Sequence, residues 1–341
     1  MKKKQVTIHD IAEELGITAS TVSRALNDHP RISGKTKQKV QDKALEMKYH
    51  PNSLASNLRK GEGNTLGICI PRINRHFFSN VIGGIESVAN EKGYNVMICQ
   101  SLESYEREVA NIQSLLNSRV DGIIMSLSTG TTNFDHIQMV KERDVSLIMF
   151  DRVCEELEVN KVLLDDYIGA YRAVEHLVKQ GCKKIAHFGG ALHLNVYRDR
   201  YEGYVNALAN YGLEYNQEWV FSDTLTRDNG DEAAKNLLSM KNRPDALFAA
   251  SDYAALGALL QFKDQGILVP EEMAVIGFAN EPFTELVDPG LSSVEQHGAE
   301  MGQSIANMFF EDVGKAKRGF IPRKTILEPE LIIRASSLKK K

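Results

Sequence analysis

An arginine at the end of a row of small side chains is the first candidate for chemistry in this chain. In Thr18-Ala19-Ser20-Thr21-Val22-Ser23-Arg24, helical spacing puts Ala19, Ser20, Ser23 and Arg24 on one face. Val22, Ala25 and Leu26 fall on the other. A guanidinium is a planar fork of donors that pairs bidentately with a guanine edge, and small neighbours at a helix's N-terminal half let its backbone approach the bases. A solvated face of an ordinary helical hairpin is the plainer reading of the same residues.

The flanking residues are those needed to position such a helix. Thr7 with Asp10 resembles a capping box, and Ile8, Ile11, Ala12 and Leu15 form one apolar stripe of a first helix. Gly16 ends it and Thr18 caps the second helix, about Ala19 to Asn27. Two helices joined by a short turn containing glycine make a helix-turn-helix. A third helix, Ser33 to about Lys48, supplies Val40, Ala44 and Met47 to close the bundle. Lys35, Lys37 and Lys39 near its start fit a solvated face or phosphate contacts equally. Pro51 then breaks the chain, and Asn52 can cap a short helix to Arg59. Leu54, Ala55 and Leu58 share one side of it. Two turns are marginal alone in water, so that side needs a partner. A twin segment in a dimer, with a leucine wedged into a DNA minor groove, is one answer.

Charge supports this division. The net charge is −4, which by itself argues against a nucleic-acid partner. Residues 1–60 hold twelve Lys/Arg and six Asp/Glu, hence +6, leaving −10 on the remainder. A basic head on an acidic body is the footprint of a DNA-binding domain fused to something else. The length of 341 residues suggests two or three domains. The apolar fraction, 43%, is that of a soluble globular protein. No apolar run approaches the ~18 residues of a membrane span. No apolar stretch follows the basic start to make a secretion signal. Cys69, Cys99, Cys154 and Cys182 are scattered, so reduced thiols in a cytoplasmic protein are expected, with no metal and no cofactor.

Behind the linker Gly61-Glu62-Gly63-Asn64, apolar runs alternate with amphipathic helices. Strands are expected at Leu66–Pro71, Asn95–Gln100, Gly122–Leu127 and Ser146–Asp151, with helices near 77–92, 105–117 and 134–142. A second series has strands near Lys161–Leu164, Lys184–Phe188, Trp219–Ser222, Ala246–Ala250 and Ala274–Phe278, with helices near 167–180, 198–211, 228–239 and 252–265. Two such series mean two α/β lobes with parallel sheets. Neither carries a nucleotide fingerprint: Gly189-Gly190 is too little for G-x-G-x-x-G, and there is no G-K-[ST] after a strand and no G-x-S-x-G. An α/β enzyme therefore lacks a motif to stand on.

Taken together, VTIHDIAEELGITASTVSRALN and NSLASNLR resemble the LacI/GalR family of bacterial regulators, of lactose-repressor type. Later landmarks fit the same family: Phe77-Phe78, Gly83-Gly84-Ile85-Glu86, Val120-Asp121-Gly122-Ile123-Ile124, Phe150-Asp151-Arg152, Val275-Ile276-Gly277-Phe278, Leu291-Ser292-Ser293-Val294 and Pro329-Glu330-Leu331. The resemblance implies a helix-turn-helix head and a body of periplasmic-binding-protein type I, with two doubly wound parallel-sheet lobes. It implies a DNA-binding domain over 1–50, a hinge helix and linker over 51–63, and an effector and dimerisation domain over 64–337. Lobe 1 would take about 64–164 and 296–325, and lobe 2 about 165–293 and 327–337. The partners implied are a palindromic operator bound by a homodimer, and a small effector, a sugar or sugar derivative, with no membrane. A soluble small-molecule-binding protein or an α/β enzyme without a DNA role is the alternative.

By the same resemblance Ala19, Ser20 and Arg24 read bases, Leu58 intercalates at the central step and Ala55 lies beside it. Thr7, Thr18, Thr21, Ser23, Asn27, Asn52 and Arg59 complete the set expected on DNA. In the cleft, Arg200 takes the place of the arginine that clamps the effector. Its plainer reading is a surface ion pair with Asp199 or Glu202. Asp151 is either an acceptor for sugar hydroxyls or a loop cap. Ser251 and Asp252 either face the ligand or cap the next helix. Phe77 is expected in an apolar wall with Phe78, one of the two in the core. Arg72 and Ser126 are further candidates. Many family members carry an acid after the strand that ends here at Phe278; this chain has Ala279-Asn280, so Asn280 is expected to substitute or the ligand to offer fewer hydroxyls there. Arg72, Arg152 and Arg200 would tolerate a sugar acid or sugar phosphate.

Overall fold

The computed structural model describes residues 6–49, 63–313 and 321–339. The chain forms two compact units, 1–63 and 64–341. The expected helix Asn52–Arg59, with Asn52, Ala55, Leu58 and Arg59, lies outside the described residues.

In the first unit, α1 (Ile8–Leu15), α2 (Ala19–Leu26) and α3 (Gly34–Glu46) form the bundle. The Thr7 N–H donates to Asp10 Oδ2 at 2.7 Å and the Asp10 N–H donates to Thr7 Oγ1 at 3.4 Å, so the capping box is formed. Gly16 takes φ +64°, where a side chain would be strained, and ends α1. Thr18 caps α2 through the Thr21 N–H, and Ser33 stands as N-cap of α3 instead of its first residue. Ile11, Ala12, Val22, Ala25, Val40 and Ala44 are the buried core.

The second unit has two sheets. The first contains β1 (Thr65–Ile70), β2 (Asn95–Gln100), β3 (Gly122–Met125), β4 (Ser146–Phe150), β5 (Asn160–Leu164) and β11 (Lys324–Leu327), in the order β11-β5-β4-β3-β1-β2 and parallel throughout. Helices α4 (His76–Glu91), α5 (Tyr105–Asn117) and α6 (Asp135–Glu142) are its crossovers. The second sheet has the order β12-β10-β9-β8-β6-β7. Its strands are β6 (Ile185–Phe188), β7 (Val220–Phe221), β8 (Ala246–Ala249), β9 (Ala274–Phe278), β10 (Ser292–Glu295) and β12 (Glu330–Ile332). Helices α7 (Asp166–Lys179), α8 (Asn195–Asn210), α9 (Arg227–Ser239) and α10 (Asp252–Asp264) connect them. The architecture is the expected pair of α/β lobes.

Three departures are local. Only Val220–Phe221 of the expected strand Trp219–Ser222 is extended; Gln217–Trp219 is a 3₁₀ turn that buries Trp219, whose indole N–H donates to Asn242 O at 3.0 Å. α8 begins at Asn195 rather than 198. β12 is antiparallel to β10: the chain leaves β11 in the other sheet, turns at Glu328-Pro329 and re-enters at an edge. The chain passes between sheets after β5, after β10 through α11 (Gly298–Asp312), and after β11. α11 lies against α4 so closely that a Cβ on Gly84 would come within 2.2 Å of Ala299 O.

Candidate functional site

The exposed side of α2 is the first candidate. Ser20 and Arg24 are exposed and Ala19 half-buried. Thr18 Oγ1 lies 2.9 Å from both Ser20 Oγ and Thr21 Oγ1, so one hydroxyl cluster organises the start of the helix. Asn27 Nδ2 donates to Ser23 O at 2.7 Å, fixing the last turn. Lys37 pairs with Asp28 at 2.6 Å, while Lys35 and Lys39 face solvent. The Thr7 and Thr18 hydroxyls serve their own helices.

The second candidate is a cleft of about 460 Å³ at the carboxyl ends of strands from both sheets, the usual ligand position in open α/β folds. It is lined by Arg72, Phe77, Phe78, Asp151, Arg152, Tyr197, Arg200, Ser251, Asp252, Phe278 and Glu281, among others. Phe77 and Phe78 are both buried and both line it, with ring centroids 5.1 Å apart.

Arg200 is not a surface residue. It is 5% exposed, pairs with Asp166 at 2.7 Å through Nε and Nη2, and donates from Nη1 to Ala250 O at 2.9 Å. Its guanidinium carbon is 3.7 Å from the Phe278 ring centre, a cation–π contact. Asp199 pairs instead with Arg198. Burial pushes the Asp166 carboxyl up to about 7, against the charge of Arg200. Burial likewise raises Asp151, with Arg152 and Arg200 opposing. Asp151 has φ +57° and accepts from Ser126 Oγ at 3.1 Å.

Arg152 donates to Glu103 Oε2 at 2.8 Å and to the Tyr197 hydroxyl at 3.0 Å. Burial drives the Glu103 carboxyl upward, but the charge of Arg152 and donors from Thr129 outweigh it and leave it lowered. Arg72 reaches the same Glu103 at 3.8 Å. The arginines that looked ready for an anion are thus already opposite carboxylates.

Two expected cleft residues stand elsewhere. Ser126 is fully buried behind Asp151 and outside the lining. Asn280 also lies outside it: Nδ2 donates to Glu295 at 2.7 Å and Oδ1 accepts from Arg334 at 2.9 Å. The acid after this strand is instead Glu281, which faces the cleft. Ser251 lines the cleft without capping α10; its Oγ donates to Leu225 O at 2.9 Å. Asp252 is fully buried, accepting the Glu281 N–H at 2.8 Å and Ser293 Oγ at 2.6 Å. Burial raises its carboxyl to about 7. Sequence reasoning passed over Glu103, Asp166, Tyr197 and Glu281. Only Asp166, two residues past the end of β5, carried a positional signal.

A model of the lacI family of bacterial regulatory proteins matches residues 7–52, and one of a periplasmic binding protein-like domain matches 174–337. The repressor CytR of Escherichia coli is 32% identical over 98% of both chains. A CelR–cellobiose complex is 26% identical, with a TM-score of 0.74 over 97% of this chain and 100% of the other. A lac repressor dimer bound to operator and the anti-inducer ONPF has a TM-score of 0.86 at 24% identity, over 98% and 100%; it speaks to fold alone.

Proposed function

Because the chain belongs to the lacI family of bacterial regulatory proteins, it is a transcription regulator and not an enzyme, and we propose that a neutral polyhydroxylated molecule is its effector. The carrying observation is the charge state of the cleft. Arg200 is neutralised by Asp166, and Arg152 by Glu103, which Arg72 also faces. Asp151, Asp223 and Glu281 add acidic groups to the lining, against one further cation, Arg75, which lies near Glu281. A phosphate or carboxylate would have to displace a buried ion pair, at a cost of several kcal/mol. Carboxylates that accept hydroxyl protons beside Phe77, Phe78, Tyr197 and Phe278 suit a saccharide, with an apolar ring face on the aromatics and hydroxyls on the acids. CelR in complex with cellobiose is a relative with such a ligand.

On DNA, Arg24 supplies the principal base contact, with Ala19 and Ser20 small enough to admit the helix. Thr7, Thr18, Thr21, Ser23 and Asn27 lie along the same approach. Two copies bind a palindromic operator, one head on each half-site. β2 is an edge strand with Met97 38% and Ile98 40% exposed; an unprotected apolar edge suits a second copy. Leu58, with Ala55 beside it, is assigned to the minor groove by the family resemblance of the hinge sequence.

A thermal-shift screen of the whole protein tests the effector class, using neutral mono- and disaccharides, sugar acids and sugar phosphates. A neutral saccharide at ~100 times its Kd should stabilise by ~2.7 kcal/mol. Stabilisation by anionic sugars alone would overturn the assignment. DNA binding is tested by its salt dependence, which should be steep; binding insensitive to salt would contradict the role of the head.

A further inference from the structure

The N-terminus of α4 has no cap in its own sequence. Arg75 occupies the N-cap position and makes no side-chain cap bond. The first N–H groups of a helix need acceptors, which Ser, Thr, Asp or Asn ordinarily supply at that place. Here the acceptor comes from the other lobe: the His76 N–H donates to Glu281 Oε1 at 3.3 Å. The Arg75 side chain turns the same way, its guanidinium carbon 3.8 Å from the centre of the Tyr253 ring on α10. A carboxylate at a helix N-terminus also meets the positive end of the helix dipole.

Glu281 is aimed by a strained turn. Ala279 has φ +122° and Asn280 φ +48°, values that residues with a Cβ adopt only when their surroundings hold them there. Ser293 Oγ accepts the Asn280 N–H at 2.9 Å, Asp252 accepts the Glu281 N–H, and Glu295 and Arg334 fix the Asn280 amide. A Cβ on Gly277 would come within 2.0 Å of Asp252 Oδ1, so the glycine seats the anchoring carboxyl. The turn is therefore a rigid part of the second lobe. The helix end it reaches carries Phe77 and Phe78 of the cleft wall.

We infer that Glu281 is a helix cap delivered across the cleft, which with the Arg75–Tyr253 stack completes α4 only when the lobes are closed. Glu281, Arg75 and Tyr253 are positioning residues: they hold the aromatic wall and set how readily the cleft opens. Only the last step, that opening governs effector exchange, rests on the effector reading above.

The test uses the full chain and no ligand, so its failure is distinguishable from failure of the effector assignment. Hydrogen exchange is read at the amides of residues 76–78. Distances are read between spin labels at Asn117→Cys and Asn236→Cys, in a Cys99→Ser background. Glu281→Ala should speed exchange of the His76 amide by roughly fivefold, the usual worth of a cap, and add a longer component to the distance distribution. Glu281→Gln keeps an oxygen acceptor and should recover most of both effects. Arg75→Ala leaves the strained turn untouched and should lengthen the distances in the same direction, which covers the case in which Glu281→Ala disturbs folding of the turn. Unchanged exchange and distances in Glu281→Ala, or unchanged distances in Arg75→Ala, would overturn the inference.

Discussion

Replacing Arg200 by Met separates the two tasks assigned to this side chain, holding the cleft together and binding its ligand. The substitution keeps much of the volume and removes the charge. It deletes two donors to Asp166 and one to Ala250 O, along with the contact over Phe278. Asp166 is 3% exposed and would be left as a buried carboxylate with no counter-charge. Breaking a buried pair from one side costs about 3–5 kcal/mol. At roughly 2 °C per kcal/mol for a unit of this size, Tm should fall by ~6–10 °C in calorimetry at pH 7.5. The sign of the pH dependence follows from Asp166. Its folded pKa is already raised, to about 7, and loss of Arg200 removes the charge that opposes this rise. A carboxyl with a raised folded pKa contributes stability at low pH and loses it as pH rises through that value. The deficit of the variant should therefore shrink between pH 7.5 and pH 5. Asp166→Asn added to Arg200→Met should recover at least half of the lost Tm without restoring ligand binding. A Tm within 2 °C of wild type at pH 7.5, or a deficit that grows on acidification, would refute the buried-pair reasoning.

Asp252 gives a second pH signature. Its carboxyl is raised to about 7 from an unfolded value near 3.9, so stability should decline as pH rises from about 4 through 7, with an upper limit of ~4 kcal/mol. Asp252→Asn keeps an acceptor for the Glu281 N–H and offers a donor to Ser293, so its Tm should vary less with pH and exceed wild type above pH 8. Arg24→Ala should cost ~1–3 kcal/mol at the guanine it reads and flatten base preference there. It should leave the salt slope nearly unchanged; selection of bound DNA from a random pool measures the first, and titration against salt the second.

The parts of this molecule that obey local rules were legible in the sequence. Thr7, Asp10, Gly16 and Thr18 mark helix ends by chemistry acting within four residues, and the core positions Ile11, Val22 and Val40 follow from helical spacing. The buried strand Ala274–Phe278 and the edge strand Asn95–Gln100 both read as bounded apolar runs, and both appear at the expected limits. The charge balance of the cleft was not legible. Arg200 meets Asp166 across 34 positions and Arg152 meets Glu103 across 49, distances over which a linear pattern carries no information. The sequence therefore suggested a site open to anions where the folded chain neutralises its arginines. Asn280 was misplaced for a related reason. The positive φ of Ala279 is disfavoured for a residue with a Cβ, and with the left-handed Asn280 it turns the Asn280 amide away from the cleft and Glu281 into it. The strands β10 to β12 (SSVE, KTIL and ELI) hold no bounded apolar run like the other short strands, and only β10 and β12 were foreshadowed, by family landmarks.

For an effector to regulate transcription, the cleft and the DNA-reading head must act on each other. This coupling is tested by the affinity of the full chain for a palindromic site selected from random DNA, measured by fluorescence anisotropy. The measurement is made with and without the saccharide that most stabilises the protein, for wild type and for Arg200→Met/Asp166→Asn. A coupling of ~1–3 kcal/mol, hence at least about a fivefold change in operator affinity in wild type and none in the cleft variant, is the predicted result. An operator affinity unaffected by a saturating saccharide that demonstrably binds the wild-type cleft would contradict the account.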